Sequence, residues 1–210
     1  MNKFLVVFDV DSTLIQDEVI ELLADVAGRR SEVAEVTERA MRGELDFAQS
    51  LIQRVATLEG LPESVFSDVL ARVRPTVGVQ ATIDAIHAAG GVVGAVSGGF
   101  TQILTPLAQH LNLDFARAND LEVIDGYLTG RVHGRIVDKS VKAESLREWA
   151  AESGVDMART TAVGDGANDL EMMAIAATGV AFNAKPIVRE QADVVLLTQD
   201  LTELLPVLGL

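Results

Sequence analysis

Phe4-Leu5-Val6-Val7-Phe8-Asp9-Val10-Asp11-Ser12-Thr13 is the stretch that decides the fold. A short apolar run ending in two aspartates one residue apart reads as a buried strand of a parallel sheet, and open sheets of that kind bind ligands beyond the carboxyl ends of their strands. Asp9 and Asp11 thus stand where chemistry is expected. Residues two apart on an extended backbone point to the same side, so continued strand geometry puts both carboxylates in one site. Like charges at close range push one pKa up and leave the other group ionised. That separates a nucleophile from a proton donor unless a cation neutralises the pair.

The 210 residues are 49% hydrophobic, enough for one large domain or a domain with a small insert. Lys plus Arg number 17 against 31 Asp plus Glu, a formal charge of −14. Such a field repels nucleic acid and anionic lipid, so neither is expected as a partner. A phosphorylated substrate then requires local cations or a metal ion. Cysteine is absent, which excludes disulfides and thiolate metal sites. With Asp9 so near the start, no room is expected for a signal peptide, no apolar run approaches the ~18 residues of a membrane span, and the default location is cytoplasmic.

Outward from the first strand, Asp17–Ala27 carries apolar residues at helical spacing, with Gly28 suited to the C-terminal cap. Further helices are expected over Ser31–Arg42, over Asp46–Glu59 with Gln49 completing a capping box, and over Leu61–Val73 with Pro62 near its start. After a helix over Ala81–Ala89, Val92–Val96 reads as a second buried strand ending at Ser97-Gly98-Gly99. Pro106 should kink or restart the next helix. Asp125-Gly126 between apolar residues predicts a hairpin within Leu121–Val132. A helix over Val141–Glu152 and strands over Thr160–Val163, Gly179–Phe182 and Val194–Leu197 complete the pattern. The expected fold is a doubly wound, Rossmann-like parallel α/β sheet formed by residues 1–14 and 76–210, with an all-helical cap, residues 15–75, inserted after the first strand.

Gly164-Asp165-Gly166-Ala167-Asn168-Asp169 follows another apolar strand and could face Asp9. Four converging aspartates call for a hard cation, and oxygen donors in small number fit Mg²⁺. Ser97 with Gly98 offers a hydroxyl and backbone N–H groups to an anion, although glycine pairs after strands are commonly plain turns. Lys142 stands near a helix start, where the dipole disfavours a cation, so its placement asks for another reason. His87, His110 and His133 follow no metal-ligand spacing, and Trp149 and Tyr127 read as packing residues.

Asp-Val-Asp-Ser-Thr, Ser-Gly-Gly, a later lysine and Gly-Asp-Gly-Ala-Asn-Asp, in that order, resemble the haloacid dehalogenase superfamily, and more narrowly its phosphoserine phosphatases. The likeness extends into the insert, through Met41-Arg42-Gly43-Glu44-Leu45-Asp46-Phe47 and Arg54-Val55. It implies a Mg²⁺-dependent phosphatase that hydrolyses O-phospho-L-serine in the last step of serine biosynthesis. In that resemblance Asp9 is the nucleophile that becomes an aspartyl-phosphate, and Asp11 is the general acid and base. Asp9, the backbone carbonyl of Asp11 and Asp165 hold the metal, and Asp169 orients its waters. Ser97, Gly98, Lys142 and Asn168 meet the phosphoryl group. Glu18 takes the ammonium, Arg54 the carboxylate, and Met41 and Phe47 line the cap side.

A zwitterionic end needs one fixed acid and one bidentate base, and arginine's planar fork suits a carboxylate. Without the surrounding motifs, Glu18 and Arg54 read as helix-surface charges. Two alternatives stand beside this reading. One is a related phosphotransferase, or a phosphatase for another small phosphomonoester, which would not need Glu18 and Arg54 for a sugar phosphate. The other is a receiver-type phospho-acceptor signalling domain, disfavoured by Asp11 and by the helical insert. No residues remain for a separate regulatory domain, so control through one is not expected, and homodimerisation is left open.

Overall fold

The computed structural model describes residues 3–42 and 44–210. Its first strand, β1 (Leu5–Phe8), is buried on both faces: Val6 and Phe8 join one apolar cluster with Ile83 and Phe100, and Leu5 and Val7 join a second with Leu146 and Trp149. That alternation is the period of two of an extended chain covered by helices above and below. Among the described residues, seven strands form one sheet. Their order is β4 (Tyr127–His133), β3 (Phe115–Ile124), β2 (Val92–Phe100), β1, β5 (Thr160–Gly164), β6 (Thr178–Phe182) and β7 (Val194–Leu196). All neighbours are parallel except β3 and β4. The sheet grows outward from β1 on one side and then on the other, so the reversal falls at the carboxyl end of β1, where an open sheet leaves a crevice.

Four helices, α1 (Val19–Val26), α2 (Arg30–Met41), α3 (Phe47–Ala56) and α4 (Val65–Leu70), follow β1 before α5 (Val79–Ala88) leads to β2. The capping box at Asp46 and Gln49 is formed as expected. Three of these helices are shorter than their periodicity predicts: α3 ends at Ala56, short of Glu59, and α1 and α4 start late for local reasons. At the start of α1, Asp17 is drawn away to Arg74, whose backbone N and Nη2 it accepts at 2.8 and 2.6 Å. Before α4, Gly60 donates to Leu128 O and Leu61 O accepts from Leu128 N, so this backbone pairs with the hairpin instead of entering the helix, and Pro62 sits in the same bridge opposite Tyr127. The two passages between β1 and this helical segment run side by side: Ile15 bridges Pro75, Gln16 N donates to Arg74 O and Thr76 N to Leu14 O.

Other differences have equally plain causes. Pro106 does not restart the helix; α6 (Thr101–Leu111) runs through it, because Ile103, Leu104, Leu107 and Leu111 bury one face and outweigh a single lost backbone bond. The second strand runs past Val96 to Phe100, with an irregular register between those residues. The expected hairpin is present, with Asp125 and Gly126 both at positive φ (52° and 81°), as a tight two-residue turn requires. Trp149, on α7 (Lys139–Ser153), is buried and stacks on Phe115 at 5.4 Å, whereas Tyr127 is exposed at the hairpin end instead of packed.

Gly94 on β2 is where the sheet admits that tryptophan. A Cβ there would lie 2.7 Å from the ring of Trp149. Gly94→Ala should therefore destabilise the protein by ~1–3 kcal/mol through overpacking. Urea unfolding followed by Trp149 fluorescence, the chain's one tryptophan, checks this.

Candidate active site

Asp9 continues the edge of β1, its backbone N donating to Val163 O at 2.8 Å, so its side chain leaves on the face covered by α7. The strand ladder does not persist to Asp11. The chain winds into one turn over Val10–Leu14, in which Asp11 is extended (φ −65°, ψ 131°) and Ser12 is left-handed (φ 60°). It is this turn, and not strand spacing, that brings both carboxyls to one cavity.

Lys142 explains itself once buried. Its Nζ, with no solvent exposure, bridges the carboxylates of Asp9 and Asp169, the latter at 2.7 Å. The other oxygen of Asp169 accepts from Gly166 N at 3.0 Å, which closes the loop after β5. Burial alone would push the Lys142 ammonium down, but Asp169 and Asp9 outweigh it and hold the group charged. The acids are not fully compensated by one cation. Burial and then the neighbouring Asp169 push the Asp9 carboxyl up, despite Lys142. Burial, with Glu18 adding to it, pushes Asp11 up to about 8, and one of its carboxyl oxygens is buried with no hydrogen-bond partner. Burial raises Asp165 to about 6 against the pull of Lys185.

One oxygen from each of Asp9, Asp165 and Asp169 lies within 4.8 Å of the others. Three hard carboxylate donors and a surplus of negative charge fit a small divalent cation of the Mg²⁺ type.

These groups line a cavity of about 460 Å³ that also takes in Glu18, Phe47, Arg54, Ser97, Gly98 and Asn168. Every expected site residue except Lys142, Asp169 and Met41 is thus on its wall. Lys142 and Asp169 lie behind it, fully buried, and reach it through Asp9. For Met41, the side chain lies outside the described residues. Phe47 presses on the end of β2 so closely that a Cβ on Gly98 would stand 2.9 Å from its ring. Glu18 accepts from Ser12 Oγ at 2.9 Å. Arg54 donates only to Ser50 O of its own helix, at 3.3 Å, and burial pulls its pKa down although Glu18 and Asp11 oppose this. Among the described residues neither Glu18 nor Arg54 has an ion-pair partner.

A model of the haloacid dehalogenase-like hydrolases matches residues 6–174. The chain belongs to that family. Among haloacid dehalogenase-like relatives, the phosphoserine phosphatase of Streptococcus thermophilus is 53% identical over 98% of this chain and 96% of its own length. That of Streptomyces coelicolor is 57% identical over 98% of this chain, which spans 50% of the relative's length. A solved structure described as a phospho-aspartyl intermediate analogue of phosphoserine phosphatase superposes with a TM-score of 0.92 at 42% identity, covering 99% of each chain.

Sequence reasoning missed Ser12, Lys139 and Lys185. Lys185 follows Asn183-Ala184 just beyond β6, so the rule that pointed to Asp9 and Asp165, inspection of strand carboxyl ends, would have found it. Ser12 carried no signal, because its role depends on a left-handed turn.

The buried bridge gives a sharp expectation. Lys142→Met strands two carboxylates, and should cost ~3–5 kcal/mol of stability in urea unfolding with a chelator present.

Proposed function

We propose that this haloacid dehalogenase-like hydrolase is a Mg²⁺-dependent phosphatase that converts O-phospho-L-serine to L-serine and phosphate, the closing step of serine biosynthesis. One observation carries the substrate: Glu18 and Arg54, an acid and a guanidinium free of ion pairs among the described residues, face the same cavity as Asp9. An ammonium and a carboxylate on one small molecule would satisfy both. The phosphoserine phosphatases at 53% and 57% identity support this reading.

The Asp9 carboxylate attacks phosphorus, an aspartyl-phosphate forms, and the bond from phosphorus to the serine oxygen breaks. Asp11, held protonated near neutral pH by burial, gives its proton to the departing oxygen. As a carboxylate it then takes a proton from water, which attacks the same phosphorus and frees Asp9 and phosphate. Ser97, the backbone of Gly98 and Asn168 meet the phosphoryl oxygens where negative charge develops, and the Lys142 ammonium, bound to Asp9, offsets that charge from behind the cavity wall. Asp9, the backbone carbonyl of Asp11 and Asp165 would hold Mg²⁺, with Asp169 ordering its waters; when bound, the ion offsets phosphoryl charge. Phe47 against Gly98 closes the helical cap over the cavity and keeps bulk water from the first step.

Phosphate release from phosphoserine, phosphothreonine and sugar phosphates tests the chemistry. Asp9→Asn should lose activity by a factor on the order of 10⁴–10⁶ on every substrate, and Asp11→Asn by ~10²–10⁴. Chelation should abolish turnover, and added Mg²⁺ should restore it.

Arg54→Ala separates substrate reading from chemistry. It should cut kcat/KM roughly 10²-fold for the phosphorylated amino acids while sparing the slower sugar phosphates. Equal losses on both would overturn the carboxylate assignment.

A further inference from the structure

Asn119, on β3, lies outside every motif considered so far and is almost wholly buried, 1% exposed. Its carboxamide is fully used. Nδ2 donates to Gly98 O at 2.9 Å and Gly99 O at 3.3 Å, while Oδ1 accepts from Val137 N at 2.7 Å. The first two carbonyls belong to the irregular end of β2; Val137 leads into α7, which carries Lys142. One side chain therefore ties the serine loop to the lysine helix.

Its effect on the loop follows from peptide geometry. In a trans peptide the C=O and the next N–H point in opposite directions, and none of the described peptide bonds is cis. Holding Gly98 O toward Asn119 turns Gly99 N–H the other way, where it donates to Ser97 Oγ at 2.8 Å. With one lone pair so occupied, the proton and the second lone pair of Ser97 Oγ remain for a group in the cavity that it lines.

We propose that Asn119 is a positioning residue for the phosphoryl group, acting through the Gly98–Gly99 peptide to aim the Ser97 hydroxyl. The proposal rests on the reading that Ser97 meets that group. A buried asparagine serving only as packing would not make three bonds to the backbone of two elements that both reach the phosphate end.

Binding of inorganic phosphate to the Mg²⁺-saturated protein, measured by calorimetry, tests this separately from turnover of phosphoserine. Asn119→Ala should weaken phosphate about tenfold, while inhibition by L-serine, which reads the Glu18 and Arg54 end, stays within about twofold. In a double-mutant cycle, Asn119→Ala added to Ser97→Ala should weaken phosphate no further than Ser97→Ala alone. Asn119→Asp, which keeps the acceptor for Val137 but lacks the paired N–H donors, is run in parallel and judged by the same criteria, so that poor folding of the alanine variant leaves the test intact. Equal weakening of phosphate and serine, or losses at Asn119 and Ser97 that multiply, would overturn the proposal. Failure of the wild type to turn over phosphoserine, with phosphate binding still sensitive to Asn119, would instead refute the substrate and leave the positioning role standing.

Discussion

A buried ammonium between two carboxylates holds this architecture together. Lys142 comes from α7, Asp9 from the end of β1 and Asp169 from the loop after β5, so three separately encoded segments converge on one nitrogen. Taking these charges out of water is costly, and only close, well-directed pairing offsets the loss. The pairing leaves a negative surplus, since Asp11 and Asp165 add their own carboxyls to the same region. Much of the site's chemistry follows from that imbalance: acids that resist ionisation, and a place where a divalent cation is welcome.

The protein meets its substrate against an unfavourable overall field. A chain of formal charge −14 repels a phosphate dianion at long range. Arg54, Lys139 and Lys185 on the cavity wall are the local counterweight, although Lys139 is shared with Glu171 at 2.7 Å and Lys185 stands 4.0 Å from Asp165. Both lysine side chains are largely exposed, so the attraction they add is screened by salt and acts only at short range.

Most of the sheet was legible because β1, β5, β6 and β7 and the start of β2 are short apolar runs, and the carboxyl ends of β1, β2 and β5 announced Asp9, Ser97 and Asp165. The Phe115–Asp120 half of β3, interrupted by Arg117, Asn119 and Asp120, carried no such run. Helix limits in the inserted segment were less legible. Asp17 is captured by Arg74, 57 residues away, and Gly60 and Leu61 are captured by a hairpin beyond residue 120, and no local pattern records such partners. The same holds for Lys142, whose burial depends on a strand 133 residues earlier in the chain. Pro106 shows the converse, a strong local signal overridden by the apolar face of its helix. Glu18 and Arg54 needed the family likeness to stand out from surface charges, and only the shared cavity distinguishes them physically.

The left-handed backbone at Ser12 binds two properties into one position. A β-branched residue there would meet a steric penalty of ~1–2 kcal/mol, and any residue without a hydroxyl would release Glu18. The bend that brings Asp11 into the cavity is thus also the support of Glu18. Under the proposed roles, acid catalysis and choice of substrate therefore rest on one structural support, and a substitution that rebuilds this bend would disturb both.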